Sequence, residues 1–333
     1  MLATTYRRPR RMRIAHVADP VIEHPNDAIV RVTRSCICGS DIHIYNGLVP
    51  DTRVGSIIGH EFCGVVEEVG PSVRNLKAGD RVLVPFADVG PSLIPDDIHI
   101  EDAVLLTDAF PTGYQAAEMG SIREGDTVVV FGAGPVGLFA ARSAWFFGAG
   151  RVIVVDCEDY RLEFARKFAY AETVNFREVD DMATHLKKMT DWLGADACID
   201  AVGCDASGSA FHGITGKVLM LQAGSPIALH WAINSARKGG RISIVGVYGP
   251  TFNMIPIGNA VNKGLTLRMN QASVKRHLPR LIEHIRAGHI SPREVITHRI
   301  PLEEVADAYD IFVNKRDNCI KPVLVPPSAR DAA

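Results

Sequence analysis

Apolar and polar positions change texture twice along this chain. In the first hundred or so residues the apolar positions come in short alternating or β-branched runs broken by Gly and Pro. Ala28 to Thr33 has the period of two expected of a half-buried strand, and Leu2 to Tyr6, Met12 to Val17, Val65 to Val69 and Arg81 to Pro85 read as further short strands. Gly70-Pro71-Ser72 and Ala78-Gly79-Asp80 supply turns between them. After Pro111-Thr112-Gly113-Tyr114 the pattern becomes strand and helix in alternation. It predicts strands at Thr127 to Phe131, Arg151 to Val155, Ala197 to Val202, Arg241 to Tyr248 and Leu265 to Met269. The intervening helices are predicted at Leu138 to Phe147, Tyr160 to Ala169, Asp181 to Leu193 and Pro226 to Arg237, the last stopped by Gly239-Gly240. A polar, glycine-rich passage, Gly203 to Gly224, interrupts the alternation. The last stretch shifts again, to a helix at Val274 to Ala287, a strand at Ile296 to Ile300, a helix at Leu302 to Phe312 and a strand at Ile320 to Val325. The boundaries drawn from these changes are a β-rich domain over 1–111, an α/β domain over 112–271, and a return to the first domain over 272–333.

Composition narrows the function classes. The 333 residues, 47% of them hydrophobic, are enough to fill two cores. A formal net charge of -2, with the two signs interspersed, gives no attraction to nucleic acid or anionic membrane and leaves small molecules as the expected partners. No apolar run reaches about 18 residues and no signal segment is visible, which points to the cytoplasm. The arginines at 7, 8, 10, 11 and 13 read as a solvated turn between two strands, because Pro9 breaks any helix there. Seven scattered cysteines argue against a disulfide framework and fit a reducing compartment.

Two motifs carry chemistry. Cys38-Gly39-Ser40-Asp41-Ile42-His43, followed by Gly59-His60-Glu61, offers the thiolate, imidazole and carboxylate that Zn²⁺ takes. A further ligand has to come from elsewhere, and buried core residues would explain Cys38 and His60 equally well at this point. The second motif is Gly132-Ala133-Gly134-Pro135-Val136-Gly137, between a predicted strand and a predicted helix. In that context GxGxxG is the dinucleotide fingerprint of a doubly wound (Rossmann) parallel sheet. Gly132 allows the tight turn, Gly134 lets the backbone approach a pyrophosphate, and Gly137 permits close helix packing. The helix start at Pro135 and Val136 offers N–H groups to the anion. Asp156, ending the next strand, stands where a carboxylate binds the ribose 2'-hydroxyl and would repel a phosphate there, so the cofactor is read as NAD. Arg161 is placed to flank the adenine. Ligands of open α/β sheets bind beyond the carboxyl ends of the strands, which brings Gly203, Gly246 and Val247 near the nicotinamide. No GxSxG elbow and no GxxxxGK[ST] loop is present.

A Cys/His/Glu cluster ahead of a NAD fingerprint, with a return to the first domain, resembles the zinc-dependent medium-chain alcohol dehydrogenase family over nearly the whole chain. The resemblance rests on the two motifs, on Gly79-Asp80-Arg81-Val82 and on Asp156. It implies a GroES-like catalytic domain and a catalytic zinc held by Cys38, His60 and Asp108, the last at a position where many members have cysteine. It further implies Ser40 and His43 as the proton route, Glu61 as a carboxylate orienting the site, and a homo-oligomer, dimer or tetramer. Aspartate at 108, Val245 to Gly249, Lys263 to Arg268 and Ile296 to Arg299 resemble the glutathione-independent formaldehyde dehydrogenase branch. The family's lobe of four cysteines around a structural zinc has no counterpart after Phe86, so one zinc is expected. The activity implied is hydride transfer between a small alcohol or aldehyde, formaldehyde among them, and NAD. The alternatives are a polyol or sugar dehydrogenase and a non-catalytic NAD-binding protein that has lost its cleft with the lobe.

Overall fold

A computed structural model describes residues 1–49, 51–203, 226–248 and 255–329. The chain divides into two compact units, Met1–Pro111 with Ser273–Ala333, and Thr112–Ala272.

The first unit opens with an antiparallel hairpin, β1 (Leu2–Arg8) and β2 (Arg11–His16). Its turn closes through Arg10, which has a positive φ of 61°. The strands continue beyond the apolar run into the arginines because pairing, not side-chain burial, holds the ends. A six-stranded sheet follows in the order β13-β14-β3-β4-β5-β6. Its members are β3 (Ala28–Cys36), β4 (Glu61–Val69), β5 (Arg81–Val84), β6 (Ser92–Leu93), β13 (Ile296–Pro301) and β14 (Lys321–Val325). β14 pairs antiparallel with β3, so the C-terminal residues complete the N-terminal sheet. β5 and β6 are joined by a short connection, Pro85 to Pro91, in which the Lys275 backbone N–H donates to Asp88 at 2.6 Å. Tyr6, Met12, Ile37, Tyr45, Tyr309 and Phe312 belong to this unit's apolar core.

The second unit is a parallel six-stranded sheet in the order β12-β11-β10-β7-β8-β9. Its strands are β7 (Thr127–Phe131), β8 (Arg151–Asp156), β9 (Glu172–Asn175), β10 (Ala195–Asp200), β11 (Ala236–Ile244) and β12 (Thr266–Met269). Val128, Val129 and Val130 of β7 are fully buried, as continuous β-branched runs are when both faces of a sheet are covered. Helices Pro135–Phe146, Asp159–Phe168, Met182–Met189 and Ile227–Ser235 connect the strands.

Two expectations change. Gly239-Gly240 is not a stop before a strand; β11 begins at Ala236 and runs through the pair, with a register shift against β10. Gly239 has a φ of 68°, and a Cβ on Gly240 would lie 2.9 Å from the Arg237 carbonyl, so the glycines carry the bulge inside the strand. The helix expected to reach Leu193 ends at Met189, because Asp191 and Trp192 adopt positive φ of 50° and 64°. Gly39 to His43, to which the sequence pattern assigned no element, open a helix, α1 (Gly39–Tyr45), with Cys38 at its N-cap. Most of the passage from Gly203 to Gly224 lies outside the described residues.

Candidate metal centre and dinucleotide site

The pairing of β3 with β4 sets the candidate metal centre. Cys36 is opposite Glu61 in that antiparallel ladder, so Cys38, two residues past one partner, and His60, one before the other, overhang the same end. Asp108 reaches them from the turn between helices Ile100–Leu105 (α2) and Ala109–Met119 (α3). One ligating atom from each of Cys38, His60, Glu61 and Asp108 lies within 4.8 Å of the others, the one such cluster among the described residues. The Cys38 thiol donates to Asp108 Oδ2 at 3.4 Å, and His60 Nε2 stands 3.3 Å from the same oxygen. Ser40 Oγ is 3.4 Å from His60 Nε2. His43 is half-buried one turn further along α1.

Two residues that the sequence did not single out complete the centre. Asp41 Oδ2 accepts the Cys38 backbone N–H at 2.9 Å, while Oδ1 lies 3.2 Å from His60 Nδ1. One carboxylate therefore caps α1, which its Gly and Ser would not start alone, and orients the imidazole with Nε2 toward the cluster. The capping spacing from Cys38 was the available signal. The other residue is Lys321, whose Nζ meets Glu61 Oε2 at 2.5 Å with both side chains 1% exposed. Nothing in the strand pattern of β14 distinguishes this lysine from a solvated one.

The electrostatics are those of a site crowded with anionic groups. Burial, then the Asp108 and Glu61 carboxylates, push the Cys38 thiol up to about 12. For His60, burial pulls the pKa down, but hydrogen bonds to Asp108, Asp41 and Cys38 outweigh it and the net direction is upward. Burial likewise pulls Lys321 down, and Glu61 holds it charged. Glu61 Oε1 is buried without a hydrogen-bond donor among the described residues. A thiol, an imidazole and two carboxylates converging around such an oxygen are a donor set for a dication, and a cation there would relieve the shifts on Cys38 and His60. The centre is thus chemically suited to zinc. Phe86 packs against the other side, its ring centroid 6.0 Å from that of His60.

In the second unit the glycine-rich turn leads from β7 into helix Pro135–Phe146 (α4), capped by Gly134. Gly132 has a φ of 95°, and a Cβ on Gly137 would fall 1.9 Å from the Gly132 carbonyl oxygen. Gly134 is open, the nearest atom to its Cβ position being Arg161 Nη1 at 3.9 Å. Arg161 therefore reaches the glycine-rich turn rather than standing away from it, and donates to the Tyr160 hydroxyl at 3.1 Å. Asp156 is nearly buried: Oδ2 accepts the Ala133 N–H at 2.7 Å, and Oδ1 accepts those of Cys157 at 2.6 Å and Glu158 at 3.1 Å. An open glycine at a helix start, with a carboxylate fixed beside it, is a cradle that suits a dinucleotide. Pro135 and Val136 are half-buried in the first turn of α4. Gly203, Gly246 and Val247 lie beyond the carboxyl ends of β10 and β11, with Val247 exposed.

Residues 24–100 match the alcohol dehydrogenase GroES-like domain and residues 135–215 the zinc-binding dehydrogenase domain. The chain is 36% identical to a zinc-type alcohol dehydrogenase-like protein, AdhB, of Bacillus subtilis (strain 168), over 98% of this chain and 100% of that protein. The chain belongs to the zinc-type alcohol dehydrogenase family. This dehydrogenase is also 30% identical to an alcohol dehydrogenase of Cupriavidus necator, over 98% of this chain and 99% of that one. Among solved structures it matches zinc-dependent alcohol dehydrogenase 2 from Streptococcus pneumonia in its apo form, at 28% identity and a TM-score of 0.84, covering 98% and 99% of the two chains. The Bacillus alignment spans 380 positions, 47 more than the 333 residues of this dehydrogenase, so that relative carries at least that many residues without a counterpart here. The family implies an oxidoreductase with a catalytic zinc and a nicotinamide cofactor. No helix among the described residues is long and apolar enough to cross a membrane.

Proposed function

We propose that this dehydrogenase oxidises a small alcohol, or reduces the corresponding aldehyde, with NAD and one zinc ion per chain. The observation that carries the reading is the convergence of Cys38, His60, Glu61 and Asp108 within 4.8 Å, with Asp41 on the far nitrogen of His60. Cys38, His60 Nε2 and Asp108 are the ligands proposed for the ion, and Glu61, held by Lys321, orients them. When bound, zinc supplies Lewis acidity toward the alcohol oxygen and the nicotinamide supplies the hydride acceptor. Ser40 Oγ, beside His60, relays the alcohol's proton, taking it up as it gives its own to the nicotinamide ribose hydroxyls. His43, three residues on along the same helix, is the base that takes the proton from the ribose and passes it to water.

Asp156 favours NAD over NADP, since its carboxylate is fixed by three backbone N–H groups and cannot turn away from a ribose phosphate. The aspartate at 108 and the sequences Val245 to Gly249, Lys263 to Arg268 and Ile296 to Arg299 support the formaldehyde dehydrogenase-like branch. Metal analysis of the purified protein tests the first part: one zinc per chain is expected, and two or none would count against it. Cys38→Ala and Asp108→Ala should each abolish zinc retention and NADH production. Assay of formaldehyde, short alcohols and polyols, with NAD and with NADP, tests the substrate class. Turnover of polyols alone would make it a polyol dehydrogenase, and NAD binding without turnover of any alcohol would make it a binding protein.

A further inference from the structure

The carboxyl ends of β10 and β11 hold a pair, a buried carboxylate and a half-buried tyrosine, that the glycine fingerprint does not account for. Asp200, the last residue of β10, is fully buried. Its Oδ1 accepts the backbone N–H groups of Val202 at 3.0 Å and Gly203 at 3.2 Å, and its Oδ2 accepts the Tyr248 hydroxyl. The Asp200 carbonyl oxygen accepts N–H groups from Val245 and Gly246, both at 3.0 Å. A carboxylate is costly to bury and is tolerated only where donors surround it. Here the two backbone amides come from the turn after β10 and the hydroxyl from the turn after β11. Burial pushes the Asp200 carboxyl up, and the Tyr248 hydroxyl and the two amides oppose that rise.

Those turns are in backbone contact. A Cβ on Gly203 would lie 2.3 Å from the Val247 carbonyl oxygen, and one on Gly246 would lie 2.1 Å from the Gly203 nitrogen. On its other side the same run touches the phosphate turn. Val202 Cγ2 is 2.8 Å from the Cβ position of Gly132, and the Ala201 N–H donates to the Phe131 carbonyl at 3.0 Å. Residues 200–203 are therefore wedged between the turn that would hold the pyrophosphate and the turn at Gly246 and Val247. A shift of the wedge would move the Gly246 and Val247 turn relative to the glycine-rich one.

We propose that Asp200 and Tyr248 are a positioning pair for the nicotinamide half of the dinucleotide, fixing the backbone of Gly203, Gly246 and Val247 in register with the Gly132–Gly137 turn before the cofactor arrives. The inference rests on the NAD reading above. Order established before binding does not have to be created at the moment of binding, so the pair acts on affinity through the backbone and without touching the reacting atoms. The adenosine half, served by Asp156 and the glycine turn, does not depend on it.

The experiment compares NADH and adenosine monophosphate binding by calorimetry in the zinc-loaded full chain and its Tyr248→Phe and Asp200→Asn variants. Tyr248→Phe removes one hydroxyl and keeps a ring that packs on the core of this unit, so it tests the pair even if Asp200→Asn fails to fold. The expected result is NADH affinity lowered about tenfold, as loss of a hydrogen bond to a charged group implies, with monophosphate affinity within about twofold of the parent. KM for NAD should rise while zinc content stays constant. Unchanged NADH affinity in Tyr248→Phe would overturn the proposal. So would parallel loss of both ligands with a lowered melting temperature, which would mark the pair as serving the fold alone. A parent protein that binds neither ligand would instead overturn the NAD reading, and this inference with it.

Discussion

In the first unit the chemistry is gathered from side chains far apart in the chain, Cys38 and Asp108 being 70 residues apart, whereas in the second it is carried by the backbone of one six-residue run, Gly132 to Gly137. The candidate metal centre gathers the half-buried Cys38 thiol and three carboxylates, Asp41, Glu61 and Asp108, each of the three at or below 5% exposure, and each group needs a partner. Asp41 has the Cys38 amide and the imidazole, Glu61 has Lys321, and Asp108 has the thiol and the imidazole. The dinucleotide site needs the reverse, an absence of side chains, since a Cβ at Gly137 would overlap the Gly132 carbonyl. One site should therefore fail when a group is removed and the other when a group is added.

The largest expected effect is on the first side of that contrast. Lys321→Met leaves Glu61 buried and uncompensated, which costs about 3–5 kcal/mol. Urea denaturation should show it, and adding Glu61→Gln should restore most of the loss. A single variant within about 1 kcal/mol of the parent would mean the pair does not hold the centre together. On the second side, Gly137→Ala adds one methyl group. Displacing the Gly132 carbonyl should cost about 1–3 kcal/mol as overpacking and weaken NADH binding, with zinc content unchanged. Calorimetry and metal analysis on the same sample check both halves; normal NADH binding would show that the turn can yield. A smaller effect is expected for Asp41→Asn. The amide oxygen still caps α1, but the charge behind His60 is gone, so zinc affinity should fall about 10-fold in a chelator competition. No change would remove Asp41 from the centre.

The contrast also governs what could be read from the chain. β7 was legible to the residue, because five β-branched or aromatic positions between an Asp and a Gly admit little else. The glycine turn was legible because its requirements are local in sequence. Of the candidate metal centre, Cys38, His60 and Glu61 stood out as possible ligands by residue type, while Asp108 was visible only through a resemblance. Spacing along the chain does not say that the end of β3, the start of β4 and the turn before α3 meet, and Asp108 looks like any aspartate between two helices. α1 was missed since Gly39 and Ser40 are poor helix formers and the helix depends on the Asp41 cap. Lys321 was beyond reach, because a lysine opening a strand is ordinarily solvated and only the fold brings it to Glu61. The Gly239-Gly240 pair misled in the opposite direction, since the signal of a helix stop is also that of a bulge.

The smallest expected effect concerns charge placed away from both sites and measures what burial adds to the metal centre. Glu101, nearly buried on α2, receives two hydrogen bonds from the half-exposed Arg299, at 2.7 and 2.6 Å. The Arg299 hydrogen bonds hold the Glu101 carboxyl below the usual glutamate range against an opposing effect of burial. A folded-state pKa below the unfolded one contributes stability that is present above the ordinary glutamate value and is lost as the pH falls through the folded value. Arg299→Met should therefore cost less than about 1 kcal/mol at neutral pH, screened by salt. Its difference from the parent should shrink toward zero as the solution is acidified below the glutamate range. Denaturation midpoints of the two proteins along a pH series would show the convergence. A difference that stayed constant into acid would mean that Arg299 acts by packing and not by its charge. In that case the gap between it and Lys321 could not be ascribed to the exposure of the pair.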